Sequence, residues 1–571
     1  MNSSHSIFST LGRIYKILPK TYRRKSILLT LAILVNSLFE IVGLAAILPV
    51  LAAILKKGFV EQQPILHALY QQLAFNDPKH FIVAMCLMIL LFILIKNLFG
   101  VWVQTKQAHF SWNLHESISS QVFENAFKRG YLFFSQNNSN RILNRINGIP
   151  QQFAQQMLIN VFQLINEFLI LILIIGSLLV YDYLILLLLG GIVLPVFVFF
   201  YQTTKKRIAS YGTRLNELGP EIVKPVYEVV FGYVDVVVNG IFPNFKKEYL
   251  SKIKEAKSLR ITVLIIQNIP NRLIETCVIL AVLIILLYGL FQLQETDKIL
   301  TLMSIFGLAA YRTIPSINRL ILAVMNIKNF HYTLDYLEDY LNTSSTEKNT
   351  TPILFKEKLC VKNLSFSYPD ANNPVLKNIS IEIKKGESLG IMGSSGSGKT
   401  TLMNILLGFL QPTSGHFSID EILVDNTNRE IWQQKCGYVR QDVFLIDGSL
   451  EDNIAFGVPK SDVDPIRLEA AIQKAQLSTL LDTLPSGKDT NIGERGAKIS
   501  GGQRQRVGIA RALYHGAEIL FFDEATSALD STTEEEITES IRSLHESHLT
   551  MVIIAHREST LKYCDSIFRL A

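Results

Sequence analysis

The stretch LGIMGSSGSGKTTLMNIL at residues 389–406 decides how the second half of this chain folds. An apolar segment is followed by a glycine- and serine-rich loop, then by Lys399, Thr400 and a second apolar segment. The glycines allow successive backbone N–H groups to converge on phosphate oxygens, and the start of the following helix adds positive potential. The spacing therefore predicts a strand, a phosphate-binding loop and a helix, an arrangement typical of an α/β domain. The predicted ligands of the phosphates are Gly393, Ser394, Ser395, Gly396, Ser397, Gly398, Lys399, Thr400 and Thr401.

Two carboxylates end a second apolar segment, ILFFDEATSALD at residues 519–530. Asp523 is suited to hold Mg²⁺ through water, and Glu524 is suited to polarise an attacking water as a general base. In the phosphate loop, Lys399 would reach the β- and γ-phosphates and the Thr400 hydroxyl would bind the same Mg²⁺. Together these residues predict hydrolysis of a nucleoside triphosphate.

Four further motifs point to the same chemistry. Gln441 in VRQD is offered to the metal and the water, His556 in VIIAHR is suited to contact a γ-phosphate, and Tyr368 can stack on an adenine ring. An isolated tyrosine or glutamine is usually unrelated to a ligand, but all these motifs in this order are highly specific. The fourth motif, ISGGQ, opens a helix and predicts a second anion-binding segment at Ser500, Gly501, Gly502 and Gln503.

The first part of the chain has the composition of a membrane domain. Hydrophobic residues make up 49% of the 571 residues, and a helix needs about 20 mostly apolar residues to cross a bilayer. We therefore predict six spans, with helical extensions beyond the lipid. The predicted spans are residues 27–55, 81–104, 157–180, 184–203, 261–292 and 299–328.

The distribution of charge predicts the orientation. Lys and Arg are frequent in residues 1–25 and between the second and third spans and the fourth and fifth spans. By the positive-inside rule, those segments and both termini are cytoplasmic. The net charge of +6 is modest and is not concentrated in one block, so we expect no nucleic-acid partner.

These motifs resemble those of ATP-binding cassette (ABC) exporters, and the resemblance covers nearly the whole chain. It implies a half-transporter with a six-span helical transmembrane domain at residues 1–341, a linker at 342–352 and an α/β P-loop nucleotide-binding domain at 353–571. It also implies that ATP and Mg²⁺ are the cofactors. The ISGGQ segment of one subunit would close over the ATP held by another, and the intact motifs favour a homodimer.

Charged residues within the predicted spans bear on the cargo. The basic residues are Lys96, Arg272, Arg312 and Arg319, and the acidic ones are Glu40, Glu167 and Glu275. One interpretation is that these groups pair with one another or reach the lipid headgroups. The other is that the four cations line a shared cavity and meet an anionic group of the substrate, since the guanidinium group pairs well with phosphate oxygens.

A second resemblance favours the cavity. FEIVGLAAILP (39–49), PNRLIE (270–275) and YRTIPSINRL (311–320) are similar to segments of the PglK-type lipid-linked oligosaccharide flippases. This implies export of a polyprenyl-pyrophosphate-linked oligosaccharide across the bacterial inner membrane, with membrane lipids as neighbours. The alternative is a multidrug or lipid A-type ABC exporter. A peptide exporter, a soluble cassette ATPase and an ATP-gated channel are weaker alternatives.

Overall fold

The structure is a computed structural model that describes residues 7–55, 58–73, 75, 77–181, 183–292, 296–342, 352–369, 373–523, 531–555 and 558–570. The chain divides into two compact units, residues 1–129 with 133–343 and residues 130–132 with 344–571. The proposed domain boundaries at 341 and 353 enclose a segment, 343–351, that lies outside the described residues. Those boundaries stay a prediction.

Helices make up nearly all of the first unit over its described residues, and the first three residues of one of them, 130–132, are assigned to the second unit. Two π-helical segments, Asn144–Gly148 and Phe153–Leu158, join three of these helices into one continuous run. The helices are α1 (Ile7–Ile17), α2 (Lys20–Ala45), α3 (Ile47–Leu55), α4 (Phe59–Gln62), α5 (Pro64–Gln72), α6 (Pro78–Lys128), α7 (Gly130–Gln136), α8 (Ser139–Leu143), α9 (Ile149–Gln152), α10 (Ile159–Tyr181), α11 (Tyr183–Phe231), α12 (Tyr233–Val238), α13 (Phe242–Gln292), α14 (Thr296–Asn329) and α15 (Tyr332–Leu341).

The first predicted span, residues 27–55, is divided in the structure. Helix α2 ends at Ala45 and α3 begins at Ile47. Pro49 accounts for the break, because a proline ring clashes with the carbonyl group four residues earlier and offers no N–H. The carbonyl concerned is that of Ala45, where α2 ends.

Four helical segments of the described residues are long and apolar enough to cross a membrane. They are Lys20–Gly43, Pro78–Lys128, Ser139–Gly176 and Phe242–Ile284. The fourth and sixth predicted spans fall within α11 and α14, where many side chains lie outside the described part of the chain. The helical nature of this half is confirmed, and the count of six spans stays a prediction.

The second unit combines strands and helices. Its strands are β1 (Lys358–Phe366), β2 (Leu376–Lys384), β3 (Ser388–Gly393), β4 (Ser414–Ile419), β5 (Ile422–Leu423), β6 (Cys436–Val439), β7 (Ile519–Asp523), β8 (Thr550–Ile554) and β9 (Ser566–Leu570). Its helices are α16 (Lys399–Leu406), α17 (Arg429–Gln433), α18 (Leu450–Ile454), α19 (Pro465–Lys474), α20 (Ser478–Thr483), α21 (Gly501–Tyr514) and α22 (Ser531–Glu546).

Two sheets organise this unit. An antiparallel sheet has the order β2-β1-β4-β5, and a parallel sheet has the order β6-β7-β8-β3-β9. The parallel sheet is buried on both faces, and alternate residues of β7 enter two separate cores. Leu520 and Phe522 pack in one core with α21, whereas Ile519 and Phe521 pack in the other with α16. Burial on both faces explains why this strand is a continuous apolar run.

Trp432 on α17 holds the second of these cores together. Its side chain is fully buried, and its indole N–H donates to the Leu406 carbonyl oxygen at 2.7 Å. The rings of Phe355 and Phe417 meet it edge-on, with centroids 6.1 and 5.9 Å away. Because Leu406 ends the helix that follows the phosphate loop, this packing also supports the loop.

We predict that Trp432→Ala destabilises the cassette unit by about 3–5 kcal/mol, since it leaves a large cavity and an unpaired carbonyl group. Differential scanning calorimetry of the full chain in detergent measures this, because ATP binding identifies the cassette transition by shifting it. Trp432→Phe is the matched control and should retain most of the stability. Equal melting of Trp432→Ala and the unmodified protein would contradict this packing role.

Candidate functional site

The phosphate loop lies between the end of β3 at Gly393 and the start of α16 at Lys399. Gly396 and Gly398 adopt φ values of +82° and +97°, a region that side chains with a Cβ rarely occupy. A Cβ on Gly398 would lie 2.8 Å from a methyl group of Leu376. The backbone of the loop therefore requires these glycines, as the sequence predicts.

The loop contains buried polar groups directed into it. Lys399 is buried, and its ammonium group donates to the carbonyl oxygens of Gly393 and Ser394 at 2.9 and 2.8 Å. The hydroxyl of Ser397 is buried with no hydrogen-bond partner among the described residues. A buried hydroxyl without a partner is unfavourable, so a phosphate group that accepts from it fits this cradle. The residues of the loop thus fit the phosphate groups of a nucleoside triphosphate.

Tyr368 lies beside the first turn of α16. Its hydroxyl is 3.2 Å from that of Thr401, and its ring meets the ring of Phe366 edge-on at 5.0 Å. The side chain is only partly buried. One edge of the ring is therefore fixed by Thr401 and Phe366, which is compatible with stacking on an adenine ring.

The parallel sheet brings the metal candidates toward the same edge. β3, β6, β7 and β8 run parallel, so their carboxyl ends share the edge that carries the phosphate loop. Asp523 ends β7 and accepts a hydrogen bond from the Tyr438 hydroxyl at 3.0 Å. Burial, with a contribution from Asp523, raises the pKa of Tyr438, so the phenol stays protonated as a donor.

Gln441 follows β6 and belongs to the same edge. The side-chain amide of Gln505, on α21, donates to the backbone carbonyl oxygens of Arg440 and Gln441 at 3.1 and 2.7 Å. This fixes the backbone of the segment and leaves the Gln441 side chain exposed. Thr400 is likewise exposed at the start of α16, so both are placed on elements suited to offer oxygen ligands to Mg²⁺.

Glu524 and His556 lie outside the described residues. In the sequence, Glu524 directly follows β7 and His556 comes two residues after β8. Their roles as general base and γ-phosphate contact stay predictions.

The ISGGQ segment forms a reciprocal helix cap. Gln503 donates its backbone N–H to the Ser500 hydroxyl at 3.3 Å, and the Ser500 N–H donates to the Gln503 side-chain oxygen at 2.8 Å. This capping box stabilises the start of α21. The amides of Gly501 and Gly502 have no acceptor within a helix, so they are the donors that an anion would meet.

In the membrane half, the structure pairs each of the four predicted substrate cations with a carboxylate. Arg272 lies 3.2 Å from Glu275 on the same helix, and Arg319 on α14 lies 3.3 Å from Glu167 on α10. Glu40 on α2 forms ion pairs with both Arg312 and Lys96, at 3.1 and 3.6 Å. The interpretation in which these charges pair with one another therefore fits the described residues, and contact of the four cations with a substrate stays a prediction.

Several residues that support the site carry no signal in the sequence. Tyr438 and Gln505 hold Asp523 and the Gln441 segment, but an isolated Tyr or Gln carries no signal of such a role. Glu40 was identified only as one acid among three, and its shared position between two cations depends on three helices that are far apart in the chain.

We predict that Lys399→Ala lowers ATP hydrolysis at least about 100-fold, because it removes a positioned cation from the phosphate site, and that it also weakens ATP binding. Glu524→Gln should abolish hydrolysis but retain ATP binding, as expected for loss of a general base. Phosphate release and fluorescent-nucleotide binding by the purified full chain measure the two effects.

Lys362→Ala is the control, since Lys362 is exposed on β1, and it should hydrolyse ATP normally. Near-normal turnover by Lys399→Ala would contradict the assigned phosphate site. Normal turnover by Glu524→Gln would contradict only the assigned base.

Comparisons with known proteins agree with this geometry. The family model "ABC transporter transmembrane region" matches residues 27–314, which is more than half of the chain, and the model "ABC transporter" matches residues 376–527. Among solved structures, a bacterial Atm1-family ABC exporter with ATP bound has a TM-score of 0.76 over 96% of this chain and 94% of that chain, at 22% identity.

Two curated relatives match over most of their length. The ATP-dependent lipid A-core flippase of Ralstonia nicotianae is 28% identical over 454 residues, covering 79% of this chain and 76% of that protein. The ATP-dependent lipid A-core flippase of Bordetella avium is 26% identical over 536 residues, covering 91% and 89%. The chain therefore belongs to the ABC transporter family, as an ATP-hydrolysing, multi-pass half-transporter of the exporter type whose helical transmembrane domain precedes its nucleotide-binding domain.

Proposed function

We propose that this transporter flips an anionic, phosphorylated glycolipid of the lipid A type across the bacterial inner membrane. The observation that carries the proposal is the similarity to lipid A-core flippases over most of the chain, up to 91% of it. Such a span includes the membrane half, and the membrane half rather than the cassette selects the cargo. Basic side chains on the membrane helices α6 and α14, at Lys96, Arg312 and Arg319, are compatible with an anionic headgroup.

The polyprenyl-pyrophosphate-linked oligosaccharide is now the less favoured cargo. That interpretation relied on the resemblance of three short membrane segments together with the four cations, whereas the similarity to lipid A-core flippases extends over most of the chain. A polyprenyl-pyrophosphate glycan and lipid A share phosphorylated sugars on a lipid anchor, so only a direct comparison of the two separates them.

We further propose that two copies of this chain form the working unit. The phosphate loop and the ISGGQ segment belong to one cassette, and the Gly501 and Gly502 amides would complete the ATP site of a second copy. Mg²⁺ would be held by Thr400, Gln441 and Asp523, and it would neutralise charge on the transferred phosphoryl group. Tyr438 keeps Asp523 in position for this role.

The proposed orientation places both termini and the nucleotide-binding domain in the cytoplasm. Residues 13–25 carry Arg13, Lys16, Lys20, Arg23, Arg24 and Lys25 just before the apolar part of α2. Such a cluster is retained on the cytoplasmic side during insertion.

We predict that lipid A stimulates ATP hydrolysis by the transporter in proteoliposomes and is flipped only when ATP is hydrolysed. The assay compares lipid A, a polyprenyl-pyrophosphate glycan and phosphatidylethanolamine at equal concentrations, with Glu524→Gln as the inactive control. Preferential stimulation and flipping by lipid A would support the proposal. Preference for the polyprenyl-pyrophosphate glycan would reverse the choice of cargo, and equal responses to all three lipids would contradict an anionic substrate.

A further inference from the structure

Glu40, Lys96 and Arg312 form a charge cluster, hereafter the Glu40 cluster, in which two cations share one carboxylate oxygen. Arg312 Nη2 lies 3.1 Å and Lys96 Nζ lies 3.6 Å from Glu40 Oε2. The side chain of Arg312 is 13% exposed, that of Lys96 is 16% exposed and that of Glu40 is 24% exposed. With formal charges, the Glu40 cluster carries one positive charge in excess.

The surroundings of the Glu40 cluster are apolar. Phe39 packs edge-on against Phe92 and Phe99, with ring centroids 6.1 and 5.4 Å apart, where α2 crosses α6. Gly43 faces the Lys96 stem and the Phe92 ring, since a Cβ there would lie 3.5 Å from Lys96 Cδ and from a ring carbon of Phe92, at ordinary van der Waals distance. In such surroundings an unbalanced charge is costly, since the local dielectric constant is low and water is scarce.

The Glu40 cluster lies on helices that are predicted to cross the membrane. Glu40 and Lys96 both belong to segments apolar enough to cross a bilayer. Lys96 lies ten residues from Lys106, which corresponds to about 15 Å along the helix. A charge at the centre of a membrane costs about 2.5–3.5 kcal/mol on insertion scales, so the excess charge favours the arrival of an anion.

Arg312 retains an unused donor. Its Nε is buried and has no hydrogen-bond partner among the described residues. A guanidinium group offers donors in a planar fork that suits phosphate oxygens. The cluster therefore has both the charge and the donor that a phosphate would need.

The other two ion pairs differ from the Glu40 cluster. Arg319 and Glu167 balance one to one, and the Glu167 side chain is 1% exposed with its Oε2 lacking a described partner. In that pair the atom without a partner is a carboxylate oxygen, which needs a hydrogen-bond donor and would not attract a phosphate. Arg272 and Glu275 also balance, one turn apart on the exposed face of α13.

We propose that the Glu40 cluster is a phosphate subsite in which Glu40 is a resident counter-ion that limits the affinity for the anion. The inference rests on the proposed function, because it assigns a subsite for the phosphorylated headgroup. Lys96 and Arg312 attract the phosphate, and Glu40 competes with it for the same two cations. Glu40 is thus an affinity-determining residue, and its removal strengthens binding.

A series of charge variants tests this role, with net formal charges that follow directly from the substitutions. The unmodified cluster has +1, Glu40→Gln has +2, Arg312→Gln has 0, and the double variant Glu40→Gln with Arg312→Gln returns to +1. One charge at about 4 Å changes affinity by roughly fivefold at the dielectric constant of water and by roughly a thousandfold at an effective dielectric constant of about 20, so a change on the order of tenfold is the conservative expectation for these partly exposed side chains. We expect lipid A to bind Glu40→Gln on the order of tenfold more tightly and Arg312→Gln on the order of tenfold more weakly, with the double variant near the unmodified protein.

The measurements are the lipid A concentration for half-maximal ATPase stimulation and the flipping rate at saturation. Glu40→Gln should lower the half-stimulating concentration because lipid A binds more tightly. It should also lower the flipping rate at saturation because tighter binding slows release. A purely structural role for Glu40 predicts the opposite sign, with weaker binding and a lower melting temperature. Lys106→Gln is the matched control, since it removes one charge from the same helix outside the Glu40 cluster and should leave the half-stimulating concentration unchanged.

Binding of phosphatidate to the detergent-purified full chain separates this inference from the proposed function. If phosphatidate binding follows the charge series while lipid A gives no stimulation, the choice of cargo fails and the subsite stands. If lipid A is flipped but no probe follows the charge series, the subsite fails and the proposed function stands. If no anionic lipid binds the unmodified protein, both are overturned.

Discussion

The register of the parallel sheet is the constraint on which the nucleotide site depends. Alternate residues of β7 and β8 enter two different cores, with Phe522 and Ile553 on one face and Phe521 and Val552 on the other. A shift of one residue would exchange these sets and move every large side chain to the wrong core. Packing on both faces therefore fixes where Asp523 emerges. The contact between Asp523 and Tyr438 follows from that register, as does the alignment of Asp523 with the end of β8.

Much of the nucleotide-binding half could be predicted because its functional residues are local in the sequence. The phosphate loop needs left-handed glycines at Gly396 and Gly398, and a short motif reveals them without knowledge of distant parts of the chain. The ISGGQ segment was also recognisable, but its capping box was not predicted. The Ser500 hydroxyl and the Gln503 side-chain oxygen each accept a hydrogen bond from the backbone N–H of the other residue. The backbone N–H groups of Gly501 and Gly502 are therefore the donors that remain for an anion.

The membrane half was predictable in its helices but not in its charges. Hydropathy finds long apolar helices because spanning a bilayer requires a nearly continuous apolar run. It cannot assign partners, since Glu40, Lys96 and Arg312 meet only through the packing of α2, α6 and α14. The local exception is Arg272 with Glu275, whose spacing of three residues on one helix makes the pair visible in the sequence. The break between α2 and α3, just before Ile47, also has a local cause, because Pro49 is only two residues further along the chain.

Paired charges in a lipid environment are physically more reasonable for a transporter than bare arginines. Two uncompensated guanidinium groups in an apolar setting would be costly to insert, and they would hold a phosphate too strongly to release it. A carboxylate shared between two cations reduces both costs and still leaves one charge for recognition. A ligand shifts a conformational equilibrium only by its difference in affinity for the two states. A counter-ion such as Glu40 can create that difference if its distance to Lys96 or Arg312 changes as the helices move, so that the same residues attract the headgroup in one conformation and expel it in the other.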